Sequence, residues 1–208
     1  MKYLIVNADD FGYSYSVNQG IIEAHVHGIV TSTSVMVDAI AAEEAADLNN
    51  YPDLSVGLHF VATEFTDVKA ELERQVEKFV AIVGAEPDHI NSHKIHPNDE
   101  RLKDALQQYA KLHNIPLRRF CAAKFIDSFF GPHADGDVSV ARLKKVIDEV
   151  SDEYNEIMCH VGYCDDYLLE HSSYNKKPEA ELKTVCDPEI RQYITDKGIE
   201  LCNWKQLV

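Results

Sequence analysis

Asp9 and Asp10 stand side by side where an apolar run, Tyr3-Leu4-Ile5-Val6, gives way to Asn7-Ala8-Asp9-Asp10-Phe11-Gly12. The run reads as a buried strand. Neighbours in a strand point to opposite sides, but where a strand breaks into a loop both can turn into one pocket. Two adjacent carboxylates repel unless something positive sits with them, so a bound cation is one reading. The other is that the pair caps the following helix and builds a turn before Gly12. Further ligands elsewhere in the chain would separate the two.

Three histidines supply them. His59 lies near the end of Leu54-Ser55-Val56-Gly57-Leu58-His59-Phe60, His93 closes Asp88-His89-Ile90-Asn91-Ser92-His93, and His160 closes Glu156-Ile157-Met158-Cys159-His160. One carboxylate with two neutral imidazoles is a common set for a divalent transition ion, leaving positions for water and substrate. Asp10, His59 and His93 can form that set. Asp9 is then free as a base on the coordinated water, whose pKa the metal lowers from ~16 towards ~7. His160 can approach from a later strand as the acid for a leaving group. Metal, base and acid together describe hydrolysis of an amide or ester.

The other histidines carry weaker signals. His89, His93 and His96 crowd one short stretch, and at most two of them can point at one centre. His93 ends its strand and shares a face with His89 and Asn91 by the two-residue period, which favours it as the ligand. His96, beside Pro97, reads as a loop residue, either near the site or with no part in it. His25, His27, His113 and His171 read as surface residues, and a lone His59 would more often be a hydrogen-bonded core residue than a ligand.

The elements that must position these groups alternate along the chain. Helical spacing marks Ser16 to His27, Ala39 to Leu48, the stretch from Val68 to Val83 closed by Gly84, a helix through Leu102, Leu106 and Leu112, and another through Val140 to Val150. Ile29 to Val37 and Pro116 to Cys121 read as further strands, and Asp127 to Asp137 as a loop. Val161 to Val185 has no clear period. Asp187-Pro188 is an acidic N-cap followed by proline, a helix start, and Ile199 to Cys202 is a last short strand. The alternation predicts an α/β protein with a parallel sheet, open or closed into a barrel, and no linker divides residues 1–208. In either geometry ligands gather at the carboxyl ends of the strands, where Asp9, Asp10, His59, His93 and His160 all fall.

Composition narrows the partners. A net charge of −15 argues against nucleic acid, and no apolar stretch is long enough to span a membrane. Met1-Lys2-Tyr3 runs straight into the first strand and leaves no room for a signal peptide, so a cytoplasmic location is expected. The five cysteines are scattered without CxxC spacing and read as reduced, mostly buried thiols.

The motifs also match a known family. Asn7-Ala8-Asp9-Asp10-Phe11-Gly12 with Gly28-Ile29-Val30-Thr31-Ser32-Thr33-Ser34, then Gly57-Leu58-His59-Phe60, Pro87-Asp88-His89-Ile90-Asn91-Ser92-His93 and Met158-Cys159-His160 resemble, in order, the motifs of the YdjC-like carbohydrate deacetylases, the family of chitooligosaccharide deacetylase. The resemblance spans essentially the whole chain as one domain. It implies a distorted (β/α) barrel of mostly parallel strands and a metal-dependent hydrolase that removes N-acetyl groups from amino-sugar oligosaccharides. Carried over by position, it implies Asp10, His59 and His93 as metal ligands, Asp9 as catalytic base and His160 as acid. Asn7, His96 and Arg118 join the candidate set as substrate-binding residues. The cofactor is one divalent ion, with zinc, cobalt or nickel suiting the ligands better than magnesium, although some relatives are described with magnesium. The implied partner is a small amino sugar or oligosaccharide, and a homo-oligomer is an open alternative because family members are commonly oligomeric. Two other functions stay open: another metallohydrolase, a phosphoesterase or amidase, and a sugar-binding relative without turnover.

This chain departs from the family pattern in three places. Ile95 stands where the third motif usually has another histidine. Pro178-Glu179-Ala180-Glu181-Leu182 lacks the arginine that often precedes the Glu-Leu pair. The long insertion frequent between the second and third motifs is also missing, which would leave a more open or altered pocket.

Overall fold

Every strand pairing among the described residues is parallel. The computed structural model describes residues 1–62, 67–93, 99–129 and 136–207, so His96, Ile95 and part of the expected loop from Asp127 to Asp137 lie outside the described residues. The chain order is β1 (Lys2–Phe11), α1 (Tyr15–His27), β2 (Ser32–Val35), a 3-10 segment (Ala42–Asn50), β3 (Ser55–Phe60), α2 (Val68–Val83), β4 (Ile90–Ser92) and α3 (Glu100–His113). There follow β5 (Lys124–Ile126), α4 (Val140–Ile147), β6 (Tyr154–Cys159), α5 (Asp166–His171), α6 (Lys177–Val185), α7 (Pro188–Asp196), β7 (Ile199–Leu201) and a 3-10 turn at Trp204–Gln206.

The seven strands form one sheet in the order β4-β3-β2-β1-β6-β5, with β7 paired to the start of β1. It curls into a distorted (β/α) barrel. Along β1 the pleat separates two environments: Leu4, Val6 and Ala8 join the main core with residues of the surrounding helices, such as Ile21 of α1 and Leu72 and Phe79 of α2. Ile5 faces the other way, into a small cluster with Ala123, Cys202 and Trp204, and Asn7 and Asp9 share its side. The concave interior is therefore apolar at its base and polar towards the carboxyl ends of the strands.

Local chemistry explains most element boundaries. Ser14, Asp67, Asp99 and Ser139 cap α1, α2, α3 and α4 through their side-chain oxygens. Asp187 caps α7 with Pro188 in its first turn, as its sequence predicts.

Three stretches differ from expectation. Ala39 to Leu48 yields a 3-10 segment, Ala42–Asn50, with no side-chain cap at its start. Pro116 to Cys121 does not form a strand: Leu117 makes an isolated parallel bridge to Ile90, and Arg119, at φ 70, turns the chain away. The strand that pairs with β6 is instead β5, three residues further on from Cys121 and too short to carry a pattern. The segment from Val161 to Val185 holds α5 and α6, both short.

Candidate active site

The twin carboxylates lie where β1 loses its regular register. Pairing with β2 shifts between Ala8 and Phe11, and Asp10 takes a left-handed backbone, φ 71. A bulge admits one extra residue and re-aims its side chain, so both acids turn into the same pocket. Such backbone costs ~1–2 kcal/mol for a residue with a Cβ, and aspartate is among the types that tolerate it.

Asp10 is the hub. Its Oδ1 lies 3.0 Å from His59 Nε2 and 3.3 Å from His93 Nδ1, and its Oδ2 lies 3.9 Å from His160 Nε2. β3 delivers His59, the turn after β4 delivers His93, and the end of β6 delivers His160. The ligand atoms of Asp10, His59 and His93 all lie within 4.8 Å of one another. Bonds of ~2 Å bring donor atoms around an ion to ~3–4 Å apart, so these three need little adjustment to share one. The neighbouring side chains support that use. Asn91 Oδ1 accepts a hydrogen bond from His59 Nδ1 at 2.5 Å, which fixes a proton on Nδ1 and turns Nε2 towards Asp10. Two imidazoles and a carboxylate, oriented in this way, fit a divalent ion.

Asp9 is held differently. Arg118 donates to it twice, Nη1 to Oδ2 at 2.7 Å and Nη2 to Oδ1 at 2.8 Å. Oδ1 also accepts from Asn7 Nδ2 at 2.6 Å and, at 3.3 Å, from both Ser34 Oγ and Asn91 Nδ2. Burial works to raise the Asp9 pKa. The Arg118 guanidinium, with His59 and His160 nearby, overrides it and holds the carboxyl well below the usual carboxylate range. Among the described residues Oδ2 has one donor against the four on Oδ1, so it keeps room for a water or substrate hydrogen. The same guanidinium reaches Glu156 on β6, with Nε 2.8 Å and Nη2 2.7 Å from Oε1. Arg118 thus crosses the barrel interior from the Leu117 edge to β1 and β6, with the ring of Phe125 on β5 4.9 Å from its guanidinium carbon.

Burial and the two carboxylates compete at His160 and at His59. Burial pushes the His160 pKa down against the pull of Asp10 and Asp9. Burial also opposes the charged form of His59, but there the carboxylates prevail and the pKa rises.

These groups line a cavity of about 1180 Å³ that opens at the carboxyl ends of the strands. Asp9, Asp10, His59, His93 and His160 sit together in its wall, with Tyr13, Phe120, Phe125 and Tyr174 adding aromatic surface. The size and the mixture of aromatic and polar walls suit a small organic ligand.

The remaining candidates have distinct places. Asn7 is fully buried beneath the site, where it accepts from Ser32 Oγ and donates to Asp9. Arg118 lines the cavity through its contact with Asp9. His89 lies deeper, stacked on Trp204 at 4.9 Å between ring centroids, and its ring occupies the space that a side chain on Gly57 would need. His171, read from sequence as a plain surface residue, lines the cavity wall, whereas His25 is tied to Val30 O and His113 stacks on Tyr109. The sequence reading did not single out Ser34, Glu156 or Tyr174, and used Asn91 only to define a face. The two-residue period does place Asn91 between His89 and His93, and Glu156 beneath Met158 and His160.

Fold and site together define a parallel α/β barrel with a carboxylate–imidazole cluster at the carboxyl ends of its strands. The model of the YdjC-like protein family matches residues 3–67 and 62–196. A carbohydrate deacetylase of Clostridium beijerinckii is 33% identical over 98% of this chain and 99% of its own length. A chitooligosaccharide deacetylase of Serratia marcescens is 31% identical over 99% of each chain. A crystal structure of an Enterococcus faecalis protein has a TM-score of 0.89 at 25% identity, covering 100% of this chain and 99% of that one. The chain belongs to the YdjC-like family. Among the described residues no helix is long and apolar enough to cross a membrane.

Proposed function

We propose that this protein is a metal-dependent carbohydrate deacetylase that hydrolyses the N-acetyl groups of short amino-sugar oligosaccharides. The observation that carries the reading is the convergence of Asp10, His59 and His93 in one cavity wall, with Asp9 and His160 beside them. The names of the full-length relatives supply the substrate class.

A divalent ion bound by Asp10, His59 and His93 would supply Lewis acidity, polarising the acetyl carbonyl and making a coordinated water more acidic. Asp9 acts as the base through Oδ2. The donors on Oδ1 fix its orientation, and the Arg118 pair keeps it ionised, so it receives and directs the water's hydrogen. His160 gives a proton to the amine nitrogen as the C–N bond breaks. Burial lowers its pKa against the pull of Asp10 and Asp9, so the ring, once protonated, gives up its proton readily. The aromatic side chains of the cavity provide faces for the sugar rings.

The test is acetate release from N,N′-diacetylchitobiose by metal-loaded protein, with metal content measured alongside. Wild type releases acetate, and Asp9→Asn keeps its metal but loses at least ~10²-fold in kcat, the usual worth of a positioned base. Asp10→Ala loses both metal and activity. Undiminished turnover in Asp9→Asn refutes the base assignment. No acetate from wild type on any N-acetylated sugar refutes the reading as a whole.

A further inference from the structure

Glu181 is fully buried on α6, beside a site that already concentrates negative charge, and the chemistry above does not use it. Burial, with Asp9 and Asp10 nearby, pushes its carboxyl up to about 8. A leucine in the same slot would avoid that desolvation cost, so the carboxyl needs a physical reason to be there.

Its partners supply one. Glu181 Oε2 accepts the backbone N–H of His160 at 2.7 Å, and Oε1 accepts the hydroxyl of Tyr174. The Tyr174 ring meets the His160 imidazole edge-on, with centroids 6.0 Å apart and planes at 71°, and both side chains line the cavity. One carboxyl therefore ties the segment leaving β6 to the segment entering α6, and these two segments carry one wall of the site. The backbone adds a weaker tie, Gly162 N to Pro178 O at 3.4 Å. On the other side of the same segment, Gly20 of α1 approaches Gly162 so closely that a Cβ on Gly20 would fall 2.5 Å from the Gly162 Cα. The segment after His160 is thus packed by α1 and pinned by α6.

We infer that Glu181 is a positioning residue for His160, acting through the His160 main chain and the Tyr174 ring to aim the imidazole at the departing group. The inference rests on the proposed hydrolase reading, in which His160 is the acid. Glu181 is buried behind the cavity lining, and its hydrogen bonds reach that lining through these two residues. Glutamine can accept from only one of the two donors, because its amide nitrogen is itself a donor. Tyr174→Phe removes one of the two hydrogen bonds and keeps the ring.

The experiment compares two substrates on the metal-loaded enzyme. N,N′-diacetylchitobiose expels an amine that must be protonated, whereas 4-nitrophenyl acetate expels a phenolate that need not be. Glu181→Gln is expected to lower kcat on the amide at least about tenfold with KM little changed, because misaiming a general acid forfeits part of its ~10²–10⁴-fold contribution. Turnover of the ester and metal content stay near wild type, and Tyr174→Phe shows the same selective loss to a smaller degree. A parallel fall on both substrates in Glu181→Gln and in Tyr174→Phe marks a merely structural residue and overturns the inference. Full amide activity in Glu181→Gln overturns it as well and leaves the hydrolase reading intact. A wild type inactive on the amide removes both.

Discussion

Arg118 sets two guanidinium nitrogens on the two oxygens of Asp9, at 2.7 and 2.8 Å, and shares the same group with Glu156. All three side chains are buried, so one cation serves two acids away from water. The bidentate geometry is one that only arginine provides. Glu156 has one oxygen without a hydrogen-bond partner among the described residues, and its pKa is raised by burial, so the Arg118 pair with Asp9 is the better satisfied of the two.

Arg118→Met leaves those carboxylates buried without their cation. Removing one partner of a buried pair costs about 3–5 kcal/mol, and the variant is expected to lose that much in urea denaturation of the metal-free protein. Arg118→Lys recovers only part of it, because one ammonium cannot meet both Asp9 oxygens along a fork. A loss below about 1 kcal/mol for Arg118→Met would mean that water reaches the pair, as at surface ion pairs.

Asp9 and Glu181 set opposite pH dependences on the metal-free fold. The Asp9 carboxyl is held below its ordinary value of 3.8, so its contribution is complete above that value and is lost as pH falls through the lower folded one. Glu181 runs the other way: with a folded pKa of about 8 against an ordinary value of 4.5, it makes stability fall as pH rises between those values. Denaturant titrations from pH 4 to pH 8 on wild type and Glu181→Gln check this. The wild type should lose stability relative to the variant steadily across that range, and two parallel curves would contradict the Glu181 assignment.

Gly57 shows how closely the barrel interior is filled. A Cβ at this position would sit 2.3 Å from His89 Cε1 and 2.5 Å from the His89 carbonyl oxygen. Trp204 stacks on the same ring, and the His89 backbone carbonyl is itself in the way. Gly57→Ala is expected to cost at least ~1–3 kcal/mol, the range for overpacked cores, seen as a lowered Tm. It should also weaken metal binding, since His59 follows two residues later on the same face. An unchanged Tm would show that His89 has room to move.

Much of this site was legible in the sequence because its residues end strands. Asp10, His59, His93 and His160 fall at or near the carboxyl ends of strand-like segments, and the α/β alternation alone sends such positions to one rim. The residues that arrange them left weaker traces. In Leu117-Arg118-Arg119 nothing local says that the first guanidinium is buried on Asp9 while the second is exposed on Phe125; the Leu117 bridge and the φ of Arg119 decide that. Glu181 was hidden for a related reason. Its helix is nine residues long and starts at Lys177-Pro178, too short for its buried stripe of Glu181, Leu182 and Val185 to stand out as a period. The bulge at Asp9–Asp10 is a register shift against β2, a property of two strands that neither carries alone.

Asn91 provides the sharpest test of the proposed metal site, because it touches the proposed ligands without belonging to them. Its Oδ1 receives the His59 Nδ1–H, and its Nδ2 donates to Ser34 Oγ at 3.0 Å and Asp9 Oδ1 at 3.3 Å. One amide therefore selects the His59 tautomer and links that histidine to Asp9. Partners of this kind are worth about 10–100-fold in metal affinity when removed. Asn91→Ala is expected to weaken Zn²⁺ or Co²⁺ binding by that factor in competition with a chelator, with one ion still bound per chain at saturation. Loss of the first ligand shell, as in His59→Ala, should instead abolish stoichiometric binding. A bound ion favours the folded state by RT ln(1 + [L]/Kd), about 2.7 kcal/mol at a free concentration of 100 Kd. At one fixed ion concentration, the metal-induced rise in Tm should therefore shrink in Asn91→Ala and vanish in His59→Ala. If Asn91→Ala binds metal as tightly as wild type, the His59 tautomer is set by something other than this amide.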